Sequence, residues 1–266
     1  MSTSPVEDGQ LDGLAVVTGA ASGLGAATVR RLAGAGLKVV AADLEPGRLA
    51  SEVGDVPGVT TVDVDVRDRD GLDRVFADAA ASGPVRAVVH CAGIAAPGRR
   101  LVGRSGRRYD PSAWDEVIAV NLTGTFNVLW AAANVMRHNE PDRRGERGVL
   151  ITTASAAGHD GGTGISPYAA SKAGVVTLSS SAARDLAPFA IRVVAISPGS
   201  FATPLFRRGG EAARELLTSY NVSPQREGDP DEFAALAEHV VRNPYLNAVA
   251  LRIDAGFQTT WDRPAQ

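Results

Sequence analysis

Short apolar runs alternate with longer stretches of helical spacing from one end of the chain to the other. LAVVTG (14–19), KVVAAD (38–43), VTTVDVD (59–65), VRAVVHCAG (85–93), GVLITTAS (148–155), IRVVAIS (191–197) and VALRID (249–254) are rich in β-branched residues and read as strands. Residues 23–35, 69–82, 111–138 and 166–188 read as helices, with further helical stretches near 203–219 and 230–243. Several strands are unbroken apolar runs, the pattern of a parallel sheet covered by helices on both faces. The expected fold class is therefore α/β: a doubly wound, seven-stranded parallel sheet with right-handed crossovers. No repeat or linker divides the chain, so residues 11–266 are expected to form a single domain and residues 1–10 a disordered tail.

Composition narrows the function classes. The 266 residues are 44% hydrophobic, enough for a sizeable core. A net charge of −3 produces no field that would favour nucleic acid or an anionic membrane surface. Cys91 is the only cysteine, which rules out an internal disulfide and fits a reducing compartment. The opening MSTSPVEDGQ has neither a basic residue nor an apolar run, and no apolar stretch reaches the roughly 18 residues of a membrane span. The expectation is a cytoplasmic protein that acts on a small molecule, with no nucleic-acid or membrane partner and no metal.

Candidate chemistry begins at TGAASGLG (18–25), between the first strand and the first helix. Gly19, Gly23 and Gly25 would let a pyrophosphate approach the backbone, facing the free N–H groups of a helix N-terminus. Their G-x3-G-x-G spacing also suits a tight turn with no ligand. Asp43 ends the second strand about 20 residues on, where an acid can accept from a ribose diol and repel a 2′-phosphate. This favours NAD over NADP. Asp65 and Val66, at the end of the third strand, could hold adenine or merely cap a helix.

YAASK puts Tyr168 and Lys172 four residues apart, on one helical face. A phenol is a poor base at neutral pH, but a nearby ammonium favours the phenolate. Ser155, at the end of the fifth strand, can polarise a substrate oxygen. Asn121 lies inside a helix, where Asn is mildly unfavourable, and could hold a water that relays protons to Lys172. A Y-x3-K pair alone arises by chance in many helices, and weight comes only from the combination.

TGAASGLG, Asp43, CAG (91–93), VNLTG with Asn121, Ser155, YAASK and SPGSFATP (197–204) together resemble the short-chain dehydrogenase/reductase family over nearly the whole chain. The resemblance implies a Rossmann fold and an NAD-dependent oxidoreductase that interconverts a secondary alcohol and a ketone. It implies that Ser155, Tyr168, Lys172 and Asn121 are catalytic. It also implies that Ser22, Leu24, Asp65, Val66, Cys91, Ala92, Gly93, Tyr168, Lys172, Phe201 and Thr203 contact NAD, alongside the three loop glycines and Asp43. A nearer likeness, carried by HCAGIA, VNLTGTFNV, NEPDRRGERGVLITTAS and NPYLNAVALRIDAG, is to family members acting on 3-hydroxyacyl-CoA, and implies a homotetramer. The long helices over 111–138 and 166–188 are expected to supply a face between copies, and Trp261 is a further candidate contact.

GRRLVGRSGRR (98–108) carries five arginines and reads either as a solvated loop or as a clamp on substrate phosphates; RHNEPDRRGERG (137–148) reads as a solvated charged turn. Two features depart from the family pattern. His90 stands where NxAG has Asn, and AAGHDGGTGISP (156–167) is glycine-rich, which alters the expected pocket. Hydroxysteroid or small-metabolite oxidation is the competing enzymatic reading. A structural NAD-binding subunit is the non-enzymatic one, and the intact Ser155, Tyr168 and Lys172 argue against it.

Overall fold

The computed structural model describes residues 10–95, 98–207 and 209–258. The expected tail, apart from Gln10, and Trp261 lie outside these residues. Strands β1 (Leu14–Thr18), β2 (Lys38–Asp43), β3 (Val59–Asp63), β4 (Val85–His90), β5 (Gly148–Thr153), β6 (Ile191–Pro198) and β7 (Ala250–Ile253) form one sheet. All neighbours are parallel, as the apolar pattern predicts, and the order is β3-β2-β1-β4-β5-β6-β7.

Side chains alternate between the two faces with the strand period. Ala15 and Val17 of β1 enter a core with α1 (Gly23–Gly34), α2 (Pro46–Val53) and α10 (Pro230–Arg242). Leu14 and Val16 enter the opposite core with α3 (Arg69–Ser82), α5 (Gly124–Met136) and α7 (Ser166–Leu186). Both faces of the central strands β1, β4, β5 and β6 are buried, which is why those strands read as unbroken apolar runs, whereas the edge strand β3 is largely exposed. The remaining helices are α4 (Pro111–Ile118), the one-turn α6 (Ala157–Asp160), α8 (Pro204–Arg207) and α9 (Glu211–Thr218). Among the described residues, no helix is long and apolar enough to cross a membrane.

Several expected boundaries move. β3 stops at Asp63 instead of Asp65, because its ladder with β2 ends where β2 ends, at the Asp43–Asp63 pair. β4 stops at His90 and β5 at Thr153, so Cys91–Gly93 and Ser155 lie on loops just past the sheet. The helix expected over 111–138 is interrupted by a π segment (Ala119–Thr123) that contains Asn121. The pattern missed α2, although Pro46 in its first turn and the buried Leu49 and Val53, four residues apart, are its signals.

The charged turn before β5 is not simply solvated. Asn139 donates to the carbonyls of Val85 (2.8 Å) and Arg147 (2.9 Å). Glu146 pairs with the buried Arg192 at 2.7 Å, and Arg192 also donates to the carbonyls of Val240 and Val241 near the end of α10. The turn thereby ties β4, β6 and α10 together away from the strand C-termini.

Phe76 of α3 is fully buried in the second core and far in sequence from the glycine loop. Phe76→Ala is expected to cost about 3–5 kcal/mol of unfolding free energy. Urea unfolding followed by circular dichroism measures this, and a loss below about 1 kcal/mol would show that the packing described for α3 is wrong.

Candidate active site

A parallel sheet delivers every strand C-terminus to the same edge, and a doubly wound sheet opens a crevice where the chain reverses direction. Here the reversal lies between β1 and β4. The glycine loop leaves β1 at that point. Gly19 has φ +69°, and a Cβ on it would collide with the Cys91–Ala92 backbone. A Cβ on Gly25 would strike the carbonyl of Gly19. These two glycines let the loop, the start of α1 and the end of β4 touch through backbone alone. Gly23, with φ +50°, lies against Thr203, so a Cβ there would be 3.0 Å from the threonine methyl. Ser22 precedes α1 in extended conformation, and no side chain caps the helix. The first N–H groups of α1, near Ser22, Gly23 and Leu24, therefore carry no side-chain cap, an arrangement that suits an anion.

Asp43 reaches this loop, its Oδ2 accepting from Ala21 N at 2.9 Å and its Oδ1 from Glu45 N at 3.1 Å. Asp65 accepts from the Arg67 side chain at 2.6–3.0 Å and from Arg67 N at 2.9 Å. The Arg67 guanidinium holds the Asp65 carboxyl below its usual range. Val66 is buried against Gly124, and its carbonyl accepts from Asn127 at 3.0 Å. The Phe201 ring turns away from the crevice into the first core, edge-on to Phe233 at 6.4 Å, which leaves only its backbone near Thr203.

Across the crevice, Ser155, Tyr168 and Lys172 come together. Ser155 is buried, and its Oγ accepts from Ala157 N at 3.2 Å. Burial pushes the Tyr168 phenol above its usual pKa, and a hydrogen bond with the Ser155 hydroxyl pulls partly in the other direction. The Lys172 amine lies 5.8 Å from the centroid of the Tyr168 ring. It is buried and donates to the carbonyl of Thr153 at 2.7 Å. Burial pulls its pKa down to about 8. An ammonium with few partners in a dry site sheds its proton more readily than one in water.

Asn121 is fully buried. Its Oδ1 accepts from Ile94 N at 2.8 Å, and its Nδ2 donates to Ile94 O at 2.9 Å and Ser171 Oγ at 3.1 Å. The amide thus clamps both sides of one residue in the loop after β4. Gly93 lies between Asn121 and Lys172, so a Cβ on it would sit 3.2 Å from Asn121 Oδ1 and 3.4 Å from Lys172 Nζ. The π segment leaves Asn121 O to the hydroxyl of Thr125, at 2.6 Å. The Cys91 thiol receives a hydrogen bond from Thr153 at 3.6 Å, and burial raises its pKa to about 11. Among the described residues, no group of three or more His, Cys, Asp or Glu could hold a metal.

Sequence reasoning missed two parts of this site. The Thr153 carbonyl that anchors Lys172 carries no side-chain signature. α6, directly after Ser155, is too short to show a period; only Gly158, where a Cβ would strike the backbone of Lys172 and Ala173, hints at its close packing on α7. The arginine loop is a small hairpin, bridged at Val102–Arg108, with Arg99 N bonded to Gly164 O at 2.8 Å. Its five arginines are exposed, beside the segment that leads into Tyr168.

The sheet order, the glycine cradle at the reversal point and the Ser-Tyr-Lys cluster facing it define a class: a dehydrogenase built on a nucleotide-binding sheet. A family model described as short chain dehydrogenase matches residues 13–213, and the chain belongs to that family of oxidoreductases, which generally use NAD(P). Human 3-hydroxyacyl-CoA dehydrogenase type-2 is 39% identical over 252 residues, 92% of this chain and 95% of the human protein. Ipsdienol dehydrogenase of Ips pini is 30% identical over 251 residues, 93% of this chain and 97% of that one. The crystal structure of 3-hydroxyacyl-CoA dehydrogenase type-2 from Mycobacterium avium matches with a TM-score of 0.87 at 37% identity, covering 93% of this chain and 97% of that one.

His90 occupies the β4 position next to Thr18 of β1 and Thr152 of β5. Its Nδ1 pairs with Thr18 Oγ1 at 2.7 Å, and its Nε2 has no partner among the described residues. Burial, then the nearby Lys172 charge, pushes its pKa down to about 3. The unfolded chain therefore takes up a proton near pH 6.5 that the folded chain refuses until about pH 3. Stability from this residue is full above pH 6.5 and is lost as pH falls through that window, by up to ~1.4 kcal/mol per unit. His90→Asn should flatten the fall in unfolding free energy between pH 6.5 and 4.5 by about that slope. Equal slopes in wild type and variant would show that the imidazole is not held neutral.

Proposed function

We propose that this chain is an NAD-dependent dehydrogenase that interconverts a secondary alcohol and a ketone, with a 3-hydroxyacyl-CoA as the alcohol. The observation that carries the reading is the convergence of Ser155, Tyr168 and Lys172 on one side of a crevice whose other side is the Gly19–Gly25 cradle. NAD, when bound, supplies the hydride acceptor. Gly19, Ser22, Gly23, Leu24 and Gly25 would hold its pyrophosphate at the start of α1. Asp43 would accept from the adenosine ribose and disfavour a 2′-phosphate. Asp65 and Val66 would meet the adenine. Cys91, Ala92 and Gly93 would line the path between them, and the Phe201 backbone with Thr203 would meet the carboxamide.

The roles of the proton-transfer set follow from charge. The substrate hydroxyl sits between Ser155 Oγ and the Tyr168 oxygen. Tyr168 as phenolate takes the hydroxyl proton during oxidation and returns it during reduction. Ser155 donates to the substrate oxygen as charge develops on it. Lys172, as ammonium, lowers the cost of the phenolate and can bond the nicotinamide ribose. Asn121 holds the Ile94 peptide, stands across Gly93 from Lys172, and completes the set as the anchor for a water that relays the proton outward.

The acyl-CoA assignment draws on the names of the human and mycobacterial relatives and on the exposed arginine hairpin beside Gly164, which suits CoA phosphates. A second reading, a CoA-free alcohol such as the ipsdienol relative's name describes, is favoured by Gly161, Gly162 and Gly164, which put no side chains on the segment between Ser155 and Tyr168. We further propose a homotetramer. Trp114, Phe126 and Trp130 are 41–48% exposed along α4 and α5, an apolar face that a second copy would cover.

Purified protein should form NADH from 3-hydroxybutyryl-CoA with NAD and far more slowly with NADP. Tyr168→Phe should lower that rate about 10²–10⁴-fold. Full activity in the variant would remove Tyr168 from the chemistry, and turnover confined to CoA-free alcohols would leave the mechanism standing but discard the acyl-CoA assignment.

Arg104→Glu combined with Arg107→Glu should raise KM for the CoA ester about tenfold and leave KM for a CoA-free alcohol unchanged. A parallel rise for both substrates would separate the hairpin from CoA.

A further inference from the structure

α6 is a single turn, Ala157–Asp160, too short to be stable by itself. Yet it carries much of the site. Its first N–H groups bond Ser155, Ala157 N to the hydroxyl at 3.2 Å and Gly158 N to the carbonyl at 3.0 Å. Gly158 rests on the backbone of Lys172 and Ala173. β6 fixes the backbone on either side of Ser155, Ala154 N to Ile196 O at 2.7 Å and Ala156 N to Pro198 O at 2.9 Å, and α6 bears on the hydroxyl itself through Ala157 N.

Two registered strand residues hold it. Ser197 of β6 and Arg252 of β7 are paired neighbours in the sheet. Ser197 Oγ bonds His159 Nε2 at 2.9 Å. Arg252 takes the next residue, Asp160, with two nitrogens, at 3.2 and 2.9 Å. The same guanidinium donates to Asp254 Oδ2 at 2.6 Å and to the carbonyl of Phe257 at 2.8 Å. The ring of Phe257 stands edge-on to Tyr220, just past α9, with centroids 6.0 Å apart. One planar cation thus joins the turn that follows Ser155, the last strand and the chain segment after it. Only a guanidinium presents enough donors in fixed directions to do this; an ammonium would satisfy the charge but not the geometry.

We propose that Arg252 is a positioning residue for proton transfer: through Asp160 it fixes α6, and through α6 it holds the Ser155 hydroxyl on the Tyr168 oxygen. This rests on the Ser155–Tyr168–Lys172 reading above. Releasing Asp160 lets the turn drift, Ser155 loses its aim, and the phenolate loses a donor. The consequence falls on chemistry and leaves the cofactor cradle, on the far side of the crevice, untouched.

The test uses the full-length protein with NAD and the alcohol it turns over fastest. Arg252→Gln and Asp160→Asn should each lower kcat about tenfold, leave the Kd for NADH within about twofold, and shift the rising limb of the kcat/KM–pH profile for oxidation to higher pH. That limb reports the enzyme before substrate takes the Ser155 proton, and it moves up because a phenolate that has lost a hydrogen-bond donor is a stronger base. The double variant should be no worse than the poorer single one, and Arg252→Lys should not recover the rate. Unchanged kcat and pH limb in a folded Asp160→Asn protein would overturn the proposal. So would losses of kcat, NADH affinity and Tm in parallel, which mark a purely structural contact. Tyr168→Phe, run alongside, separates the two claims: if it is inactive while Arg252→Gln behaves as wild type, only the Arg252 role fails.

Discussion

Burying a parallel sheet on both faces leaves its strand ends as the only place where polar chemistry can gather. Every β-strand here runs the same way, and helices seal both surfaces, so loops bearing Gly19, Asp43, Cys91, Ser155 and Thr203 all emerge on one edge. The order of the strands then opens that edge between β1 and β4. Nothing else in the molecule needs to bring these distant segments together. The close backbone contact of Gly19 with Cys91–Ala92 joins the ends of β1 and β4, and glycine is the residue type that permits it.

Within that edge, the central cost is the buried amine of Lys172. A carbonyl of the strand that precedes Ser155 offsets part of it, and the remainder appears as a pKa drawn down to about 8. The surrounding side chains respect the same constraint. His90 stays neutral beside it, Cys91 keeps its proton, and Asn121 directs its amide to the backbone of Ile94. A second positive charge in this volume would cost more than these groups could offset. Burial is the main reason that His90 and Cys91 are uncharged, and the lysine's charge reinforces it only at His90.

The residues that hold the site are drawn from the end of the chain as well as its middle. α6 depends on β6 and β7, and β7 is followed directly by the turn at Asp254–Phe257. The conformation after Ser155 is therefore decided nearly a hundred residues later, and the glycine-rich sequence there, weak in helical propensity, is ordered by contacts it does not itself encode.

Much of this was legible beforehand. Unbroken β-branched runs determined a two-sided parallel sheet, because their spacing has no solvent face, and YAASK determined that Tyr168 and Lys172 share a helix face. Glycines at 19, 23 and 25 marked a close approach of backbone. Other features were set only by the tertiary structure. The reach of β3 is limited by its neighbour, so Asp65 falls past the sheet and pairs with Arg67. Phe201 turns inward because Phe233, in a helix thirty residues on, supplies the apolar surface. Thr153 anchors Lys172 through a carbonyl, and a carbonyl is the same in every residue. Local spacing determines which faces are apolar and which turns are possible; which polar atom meets which across the sheet depends on packing between segments that no local pattern connects.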